Sequence, residues 1–211
     1  MNTQDWETYK SRLSALDTLD YNYDEKIYHA AKDKSGWNID HYEAQLASEA
    51  PGEPVPDGPF ENVKKAIQLY KFPEPNLIRA VFEPDRELSG RNMLLIAKFA
   101  GLTFYFGVRV VAVIDEVRKN KEGEDLQVWG YAYRTLKGHF EIGEIRFEVS
   151  KNIKSGLVSF EISAYSKLDR IQNPFYRASF RVFGRPLQKY FASSSIHRLQ
   201  EIARGTNVQS F

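Results

Sequence analysis

The stretch "LVSFEISAYSKLDRIQNPFYRASF", residues 157–180, contains the change of period that decides the fold. Its first half is rich in β-branched and aromatic residues, which is typical of a strand. Asn173 can then cap a helix, and Pro174 suits the first helical position, where no backbone N–H is needed. The sequence therefore predicts that a series of strands ends near residue 168 and that a long helix follows.

Six strand-like segments lead up to this helix. Each is rich in aromatic and β-branched residues, and short turns such as Ala100-Gly101 separate several of them. Such a series is typical of an antiparallel meander. The segments are residues 77–83, 91–99, 102–116, 126–136, 143–152 and 157–168, and an earlier strand is predicted at 37–47.

Helical spacing of apolar residues predicts three helices, over residues 3–16, 59–72 and 174–204. Pro186 has to kink or split the last one, because its ring removes a hydrogen bond and clashes one turn back. We predict an α+β fold in which a curved antiparallel sheet of six to seven strands wraps around the long C-terminal helix. We expect residues 1–18 to be a helical extension and residues 19–211 to form one domain.

Composition restricts the classes of partner. The 211 residues carry a net charge of only +1, so no overall electrostatic attraction to nucleic acid is expected. There is no cysteine, which excludes disulfides, thiol nucleophiles and cysteine-ligated metals and fits a reducing compartment. No apolar run has the length of a transmembrane helix, and the N-terminus is too polar for a signal peptide. We therefore expect a cytoplasmic protein without a transmembrane segment.

The densest polar chemistry lies in "YAYRTLKGHFEIGEIRFEV", residues 131–149. Alternation along the two predicted strands places aromatic residues on one face and charged residues on the other. The aromatic face, which we expect to point inward, comprises Trp129, Tyr131, Tyr133, Thr135, Ile145, Phe147 and Val149. The opposite face comprises Glu144, Arg146 and Glu148, where Arg146 can pair with the acids.

The same stretch carries a family resemblance. It resembles the pattern Y-x-T-L-P-G-H-P-E-x-G-E-E-R-F of an uncharacterised family that includes the C-terminal domain of YndJ-like proteins. The matching residues are Tyr133, Thr135, Leu136, Gly138, His139, Glu141, Gly143, Glu144, Arg146 and Phe147. Lys137 and Phe140 stand where the family has proline. The architecture is similar to the helix-grip fold of the START and birch-pollen-allergen superfamily, and the resemblance implies a cavity between sheet and helix.

Three functions remain open at this stage. The first is binding of an apolar or amphipathic small molecule, with the candidate ligand-binding residues Tyr131, Tyr133, Thr135, His139, Phe147 and Phe183. The second is an enzyme that uses His139 with Glu141 or Glu144 for acid–base chemistry. The candidate polar site around these acids comprises Glu141, Glu144 and Arg146. The third is an interaction module that contacts an anionic surface weakly through the basic residues Arg177, Arg181, Arg185 and Lys189.

Motifs for metals and cofactors are missing from the sequence. H-E-x-x-H, the P-loop and G-x-G-x-x-G do not occur, and His139-x-Glu141 lacks the cysteine pair of the zinc deaminases. The sequence therefore predicts neither a metal site nor a cofactor.

Overall fold

In the part of the chain that the structure describes, seven antiparallel strands form one sheet in the order β1-β7-β6-β5-β4-β3-β2. The strands are β1 (Asn38–Ser48), β2 (Ile78–Val81), β3 (Asn92–Phe99), β4 (Leu102–Lys119), β5 (Asp125–Thr135), β6 (Glu141–Asn152) and β7 (Leu157–Leu168). The helices are α1 (Thr3–Leu16), α2 (Glu25–Ala30), α3 (Pro59–Gln68) and α4 (Pro174–Ala203). The sheet and the long C-terminal helix confirm the predicted helix-grip architecture.

The computed structural model describes residues 3–30, 35–99, 101–168 and 174–205. Side chains are described for residues 5–26, 28–29, 35–99, 101–168 and 185–205. Within these residues, no helix combines the length and the apolar character needed to cross a bilayer.

The inward face of the sheet forms the main core. Tyr131 pairs with Phe147, and Phe147 pairs with Ile162, so alternation places these large side chains on the same face. Helix α3 packs against this face with Phe60 and Ile67, which are fully buried. Helix α4 contacts both α3 and β1. The sheet and the two helices therefore share one hydrophobic core.

Two helix predictions differ in detail from the structure. Helix α3 ends at Gln68, four residues before the predicted end, because Tyr70 adopts a left-handed backbone with φ of +53°. Helix α4 runs without interruption from Pro174 to Ala203 with Pro186 inside it, so the predicted alternative of two separate helices is wrong.

Helix α1 covers the outer face of the sheet at strands β2 and β3. Its Leu13 and Leu16 form a second apolar cluster with Leu94 and Ile96. The end of α1 also packs closely on β4, because a Cβ at Gly107 would lie only 2.6 Å from Cδ2 of Leu16. After α1, an isolated antiparallel β-bridge between Tyr21 and Leu136 attaches the chain around Tyr21 to the residue that follows β5.

A buried ion pair attaches the proline-rich connection of residues 51–58 to the sheet. Nζ of Lys151 lies 2.8 Å from Oε1 of Glu49, and both side chains are almost fully buried. Lys151 also donates to the Glu53 carbonyl, and Glu49 accepts from the backbone N–H groups of Val55 and Phe60. Burial alone would raise the pKa of Glu49, but these hydrogen bonds outweigh it and lower the pKa. Every charge here has a partner, so the pair is structural.

Replacing Lys151 with Met should destabilise the protein by about 3–5 kcal/mol, because the Glu49 carboxylate would stay buried without its cation. Urea denaturation gives the free energy of unfolding. Lys154→Met is the matched control, since Lys154 pairs with Glu124 at the surface and its loss should have a much smaller effect. Equal losses in the two variants would contradict the structural role of the buried pair.

Candidate ligand-binding site

A partly open cleft of about 220 Å³ lies between the inward face of the sheet and helix α4. Residues from all seven strands line its floor, and Leu187, Phe191 and Ala192 of α4 form the opposite wall. The walls are mostly apolar. The aromatic residues among them include Phe99, Phe104, Phe106, Tyr133, Phe140 and Phe191.

Aromatic contacts order one wall of the cleft. The rings of Phe104 and Phe106 are stacked with centroids 6.1 Å apart. Phe106 also meets Phe140 edge-on at 4.6 Å and lies 4.8 Å from the ring of His139. Strand alternation explains the first pair, because Phe104 and Phe106 lie two residues apart on β4. Phe140 comes from the turn before β6, so this turn is part of the cleft wall.

Two tyrosine hydroxyl groups provide polar contacts inside the cleft. The oxygens of Tyr70 and Tyr133 lie 3.4 Å apart, and both residues line the cleft. Burial raises the pKa of Tyr133 to about 12 and that of Tyr70 well above its usual value. Both groups therefore stay neutral and act only as hydrogen-bond donors and acceptors.

Thr135 positions the start of β6. Its hydroxyl donates to Oδ1 of Asn22 at 2.6 Å and accepts from the Gly143 N–H at 3.1 Å. Asn22 in turn donates to the backbone carbonyl of Glu141. Gly143 has to be glycine, because a Cβ there would lie 2.2 Å from the Tyr165 carbonyl oxygen. These bonds fix the backbone on both sides of residue 142.

His139 lines the cleft as a neutral imidazole. Only 9% of the residue is exposed, and burial lowers its pKa to about 3. Its Nδ1 accepts the Glu141 N–H at 3.0 Å, so the ring proton lies on Nε2. At neutral pH this side chain can donate one hydrogen bond but carries no charge.

Glu141 is the ionisable group of greatest chemical interest in the cleft. Its Oε1 accepts a hydrogen bond of 2.7 Å from Gln188 of α4. Burial, and next the negative charge of Asp40, raise the pKa of Glu141 to about 7. Asp40 itself accepts two hydrogen bonds from Arg185 of α4, at 2.6 and 3.0 Å. Polar contacts between the sheet and α4 thus form one end of the cleft.

Glu144 and Arg146 direct their side chains to the outer face of the sheet. Glu144 borders the cleft, but its carboxylate accepts from Arg134 at 2.7 Å on that face. Arg146 lies 3.5 Å from Glu148, as the predicted pairing required. Glu148 is 4% exposed and pairs closely with Arg118, so this face is not a uniformly solvated row of charges.

The structure brings together only some of the predicted site residues. Tyr133, Thr135, His139 and Glu141 line the cleft, whereas Tyr131 and Phe147 are fully buried in the core and do not line it. The side chain of Phe183 lies outside the described residues, as do those of Arg177 and Arg181. Arg185 is bound to Asp40 and Lys189 is exposed. Contact of this basic helix face with an anionic surface stays a prediction.

Sequence reasoning missed four polar or aromatic residues of the site. They are Asn22, Asp40, Tyr70 and Gln188, which come from four separate segments. The position of Asp40 could have been inferred from the sequence, because this residue lies on the predicted first strand. The other three are recruited by long-range packing, which no local pattern indicates. In the described residues, histidines and carboxylates do not gather into a group of three or more that could bind a metal.

The raised pKa of Glu141 predicts a pH dependence of stability. Between its ordinary value of 4.5 and about 7, the unfolded chain loses this proton while the folded protein keeps it. Folding therefore becomes less favourable as pH rises through this window. Glu141→Gln should remove the effect, so the variant should gain up to about 3 kcal/mol relative to wild type between pH 4 and 7.5. Urea denaturation of both proteins across this pH range gives their free energies of unfolding. If the variant's value relative to wild type stays constant or falls as pH rises, the prediction is contradicted.

Comparisons with solved structures give low identities. The chain shares 7% identity and a TM-score of 0.46 with norcoclaurine synthase from Thalictrum flavum in complex with dopamine and hydroxybenzaldehyde, covering 85% of this chain and 96% of the other. With major latex-like protein 151 from Panax ginseng, it shares 11% identity and a TM-score of 0.43, and the match covers 79% of this chain and 97% of the other. For Ara h 8.0201 the values are 13% and 0.44, with coverage of 81% and 99%. These values are too low to transfer a ligand or an activity. No curated protein matches the chain.

A family comparison covers most of the sequence. Residues 22–198 match a family that is described as "Domain of unknown function (DUF1990)". The matched range includes every strand, the hairpin of residues 131–149 and most of α4, while α1 precedes it. The resemblance to YndJ-like proteins is not tested by this match. The chain belongs to the family of the domain of unknown function DUF1990.

Proposed function

We propose that this protein binds a small apolar or amphipathic molecule in the cleft between the sheet and α4. The observation that carries the proposal is a mostly apolar cleft with a few polar groups at one end, which is the usual composition of a ligand site. Tyr133 contributes a wall of the site, and Thr135 and His139 contribute to its polar end. Tyr131 and Phe147 support this wall from the core behind it.

The size of the cleft limits the ligand. A volume of about 220 Å³ exceeds the roughly 150 Å³ of an engineered cavity that binds benzene. It is smaller than the roughly 300–1,000 Å³ of pockets for drug-sized molecules. In this proposal, the part of the ligand inside the cleft is therefore a single ring with a short substituent, or a chain of about eight carbons.

One observation favours the second candidate function, acid–base catalysis. Glu141 has a pKa near 7 in an apolar cleft, as a general acid or base requires. Of its predicted partners, His139 stays neutral and Glu144 is bound to Arg134 on the outer face. Of the predicted acid–base groups, only Glu141 would therefore be left to transfer a proton, and the neutral tyrosine hydroxyls could only form hydrogen bonds to the substrate. Ligand binding needs fewer assumptions.

We also propose the domain organisation and location that the sequence indicates. Residues 1–18 form an extension to a domain of residues 19–211, and the start of the family match at residue 22 supports this. The absence of cysteine supports a cytoplasmic location.

The first test of binding uses 1-octanol as the probe and isothermal titration calorimetry. Burying its chain is worth at most about 6 kcal/mol, at about 0.8 kcal/mol per CH₂. We expect a dissociation constant on the order of 0.1 mM, about 5.5 kcal/mol, and a negative heat-capacity change.

Ala164→Phe should abolish octanol binding, because Ala164 lines the cleft and the added ring would fill it. Ser163→Phe is the matched control, since this neighbouring residue points to the outer face, where its hydroxyl bonds to Glu161. Wild-type protein that does not bind octanol would refute the proposed function. Equal binding by both variants would show that octanol binds elsewhere.

A further inference from the structure

The polar end of the cleft is acidic. Asp40, Glu141 and Glu144 are among the lining residues, and no lysine or arginine of the described residues lines the cleft. Glu144 is neutralised on the outer face by Arg134. Asp40 is neutralised by Arg185, which also donates to Oε1 of Gln188. Glu141 is thus the one carboxyl group of the three that forms no ion pair with a described residue, although the more distant charge of Arg185 also acts on it.

Glu141 also has unused hydrogen-bonding capacity. Gln188 donates to its Oε1, whereas its Oε2 accepts no hydrogen bond from the described residues. Beside it, the Nε2–H of His139 is likewise unused, although the residue is nine-tenths buried. Glu141 is only partly buried, and neither atom is among the fully buried unpartnered side-chain atoms of the described residues, so both can reach solvent or a ligand in the cleft. The cleft therefore offers one anionic acceptor and one neutral donor to the polar head of a ligand.

We propose that the cleft selects an amphiphile with a primary ammonium head, which binds Oε2 of Glu141, and that it disfavours carboxylate heads. This inference rests on the proposed function. With Glu141 ionised, the charges of Asp40, Glu141 and Arg185 sum to −1, and His139 adds none. An ammonium group brings the sum to zero, whereas a carboxylate makes it −2 in poorly solvated surroundings, which is costly. The Nε2–H of His139 remains for an oxygen atom of the ligand.

The ionisation of Glu141 couples head-group choice to pH. Its pKa of about 7 means that the isolated site is only partly ionised at neutral pH. Among the residues whose side chains the structure describes, the charged or titratable groups that face it are Asp40 and Tyr42 from β1, Tyr133 from β5, His139 from the turn before β6, and Arg185 from α4. Tyr133 and His139 do not titrate between pH 5.5 and 8.5. Ammonium binding should therefore strengthen as pH rises through 7, whereas carboxylate binding should weaken.

The test compares octylamine, 1-octanol and octanoate by isothermal titration calorimetry at pH 8. An alkylamine is protonated there, as the lysine side chain is. We expect octylamine to bind at least about tenfold more tightly than octanol and octanoate at least about tenfold more weakly. Between pH 5.5 and 8, the octylamine affinity should rise by about tenfold as Glu141 ionises. Octanoate that equals or exceeds octylamine would overturn the inference.

The variant Glu141→Gln distinguishes the contribution of the ammonium head group to affinity from that of the alkyl chain. The variant should bind octylamine no better than octanol, lose the pH dependence of octylamine binding and keep its octanol affinity within about twofold. Asp115→Asn is the matched control, because Asp115 is a carboxylate of β4 that does not line the cleft. It should leave all three affinities unchanged. Unchanged octylamine binding in Glu141→Gln would contradict the role of Glu141.

The two proposals fail in different ways. If wild-type protein binds none of the three probes, the proposed function itself is wrong. If octanol binds and Ala164→Phe abolishes that binding, but octylamine shows no preference over octanol, only the head-group inference is overturned.

Discussion

The need to cover the aromatic inward face of the sheet determines most of this structure. Helix α3 has only ten residues and packs against β1, β5 and β6. Helix α4 contacts α3 and β1, and its Phe191 reaches the rings of Phe72 and Phe147. Toward β3 and β4, the inward rings Phe104 and Phe106 are not fully covered. The cleft is this incompletely covered part of the face, so the fold produces a site where its two covering helices leave space.

The chemistry of the cleft comes from segments that meet at its polar end. The Asn22–Thr135–Gly143 hydrogen bonds fix the backbone of the turn that carries His139 and Glu141. Gln188 and Arg185 of α4 then bind Glu141 and Asp40 from the other side. Because water is largely excluded here, His139 loses its charge and Glu141 retains its proton to higher pH. For the same reason, the charge of a ligand head group should have a strong effect on the affinity of the proposed site.

Sequence patterns predicted the sheet well because strand alternation is local. The pairs Tyr131–Phe147 and Tyr133–Ile145 lie in register on one face, as the alternation indicated. The site was less predictable, because its contacts connect distant parts of the chain. Asn22 and Thr135 are 113 residues apart, and Asp40 and Arg185 are 145 apart. Residues 16–36 show no clear period and predict a loop with at most a turn of helix, so the position of α2 and the bridge at Tyr21 depend on tertiary packing that a single sequence does not display.

The central claim is that the space between sheet and α4 is a preformed apolar site. A crystal structure determined under xenon pressure tests it directly, because xenon enters apolar cavities without needing a particular head group. The account predicts xenon density in the cleft beside Phe106, Tyr133 and Phe191 in wild-type crystals, and none there in crystals of Ala164→Phe. Wild-type crystals in which α4 closes onto Phe106 and Tyr133, with no xenon between them, would contradict it.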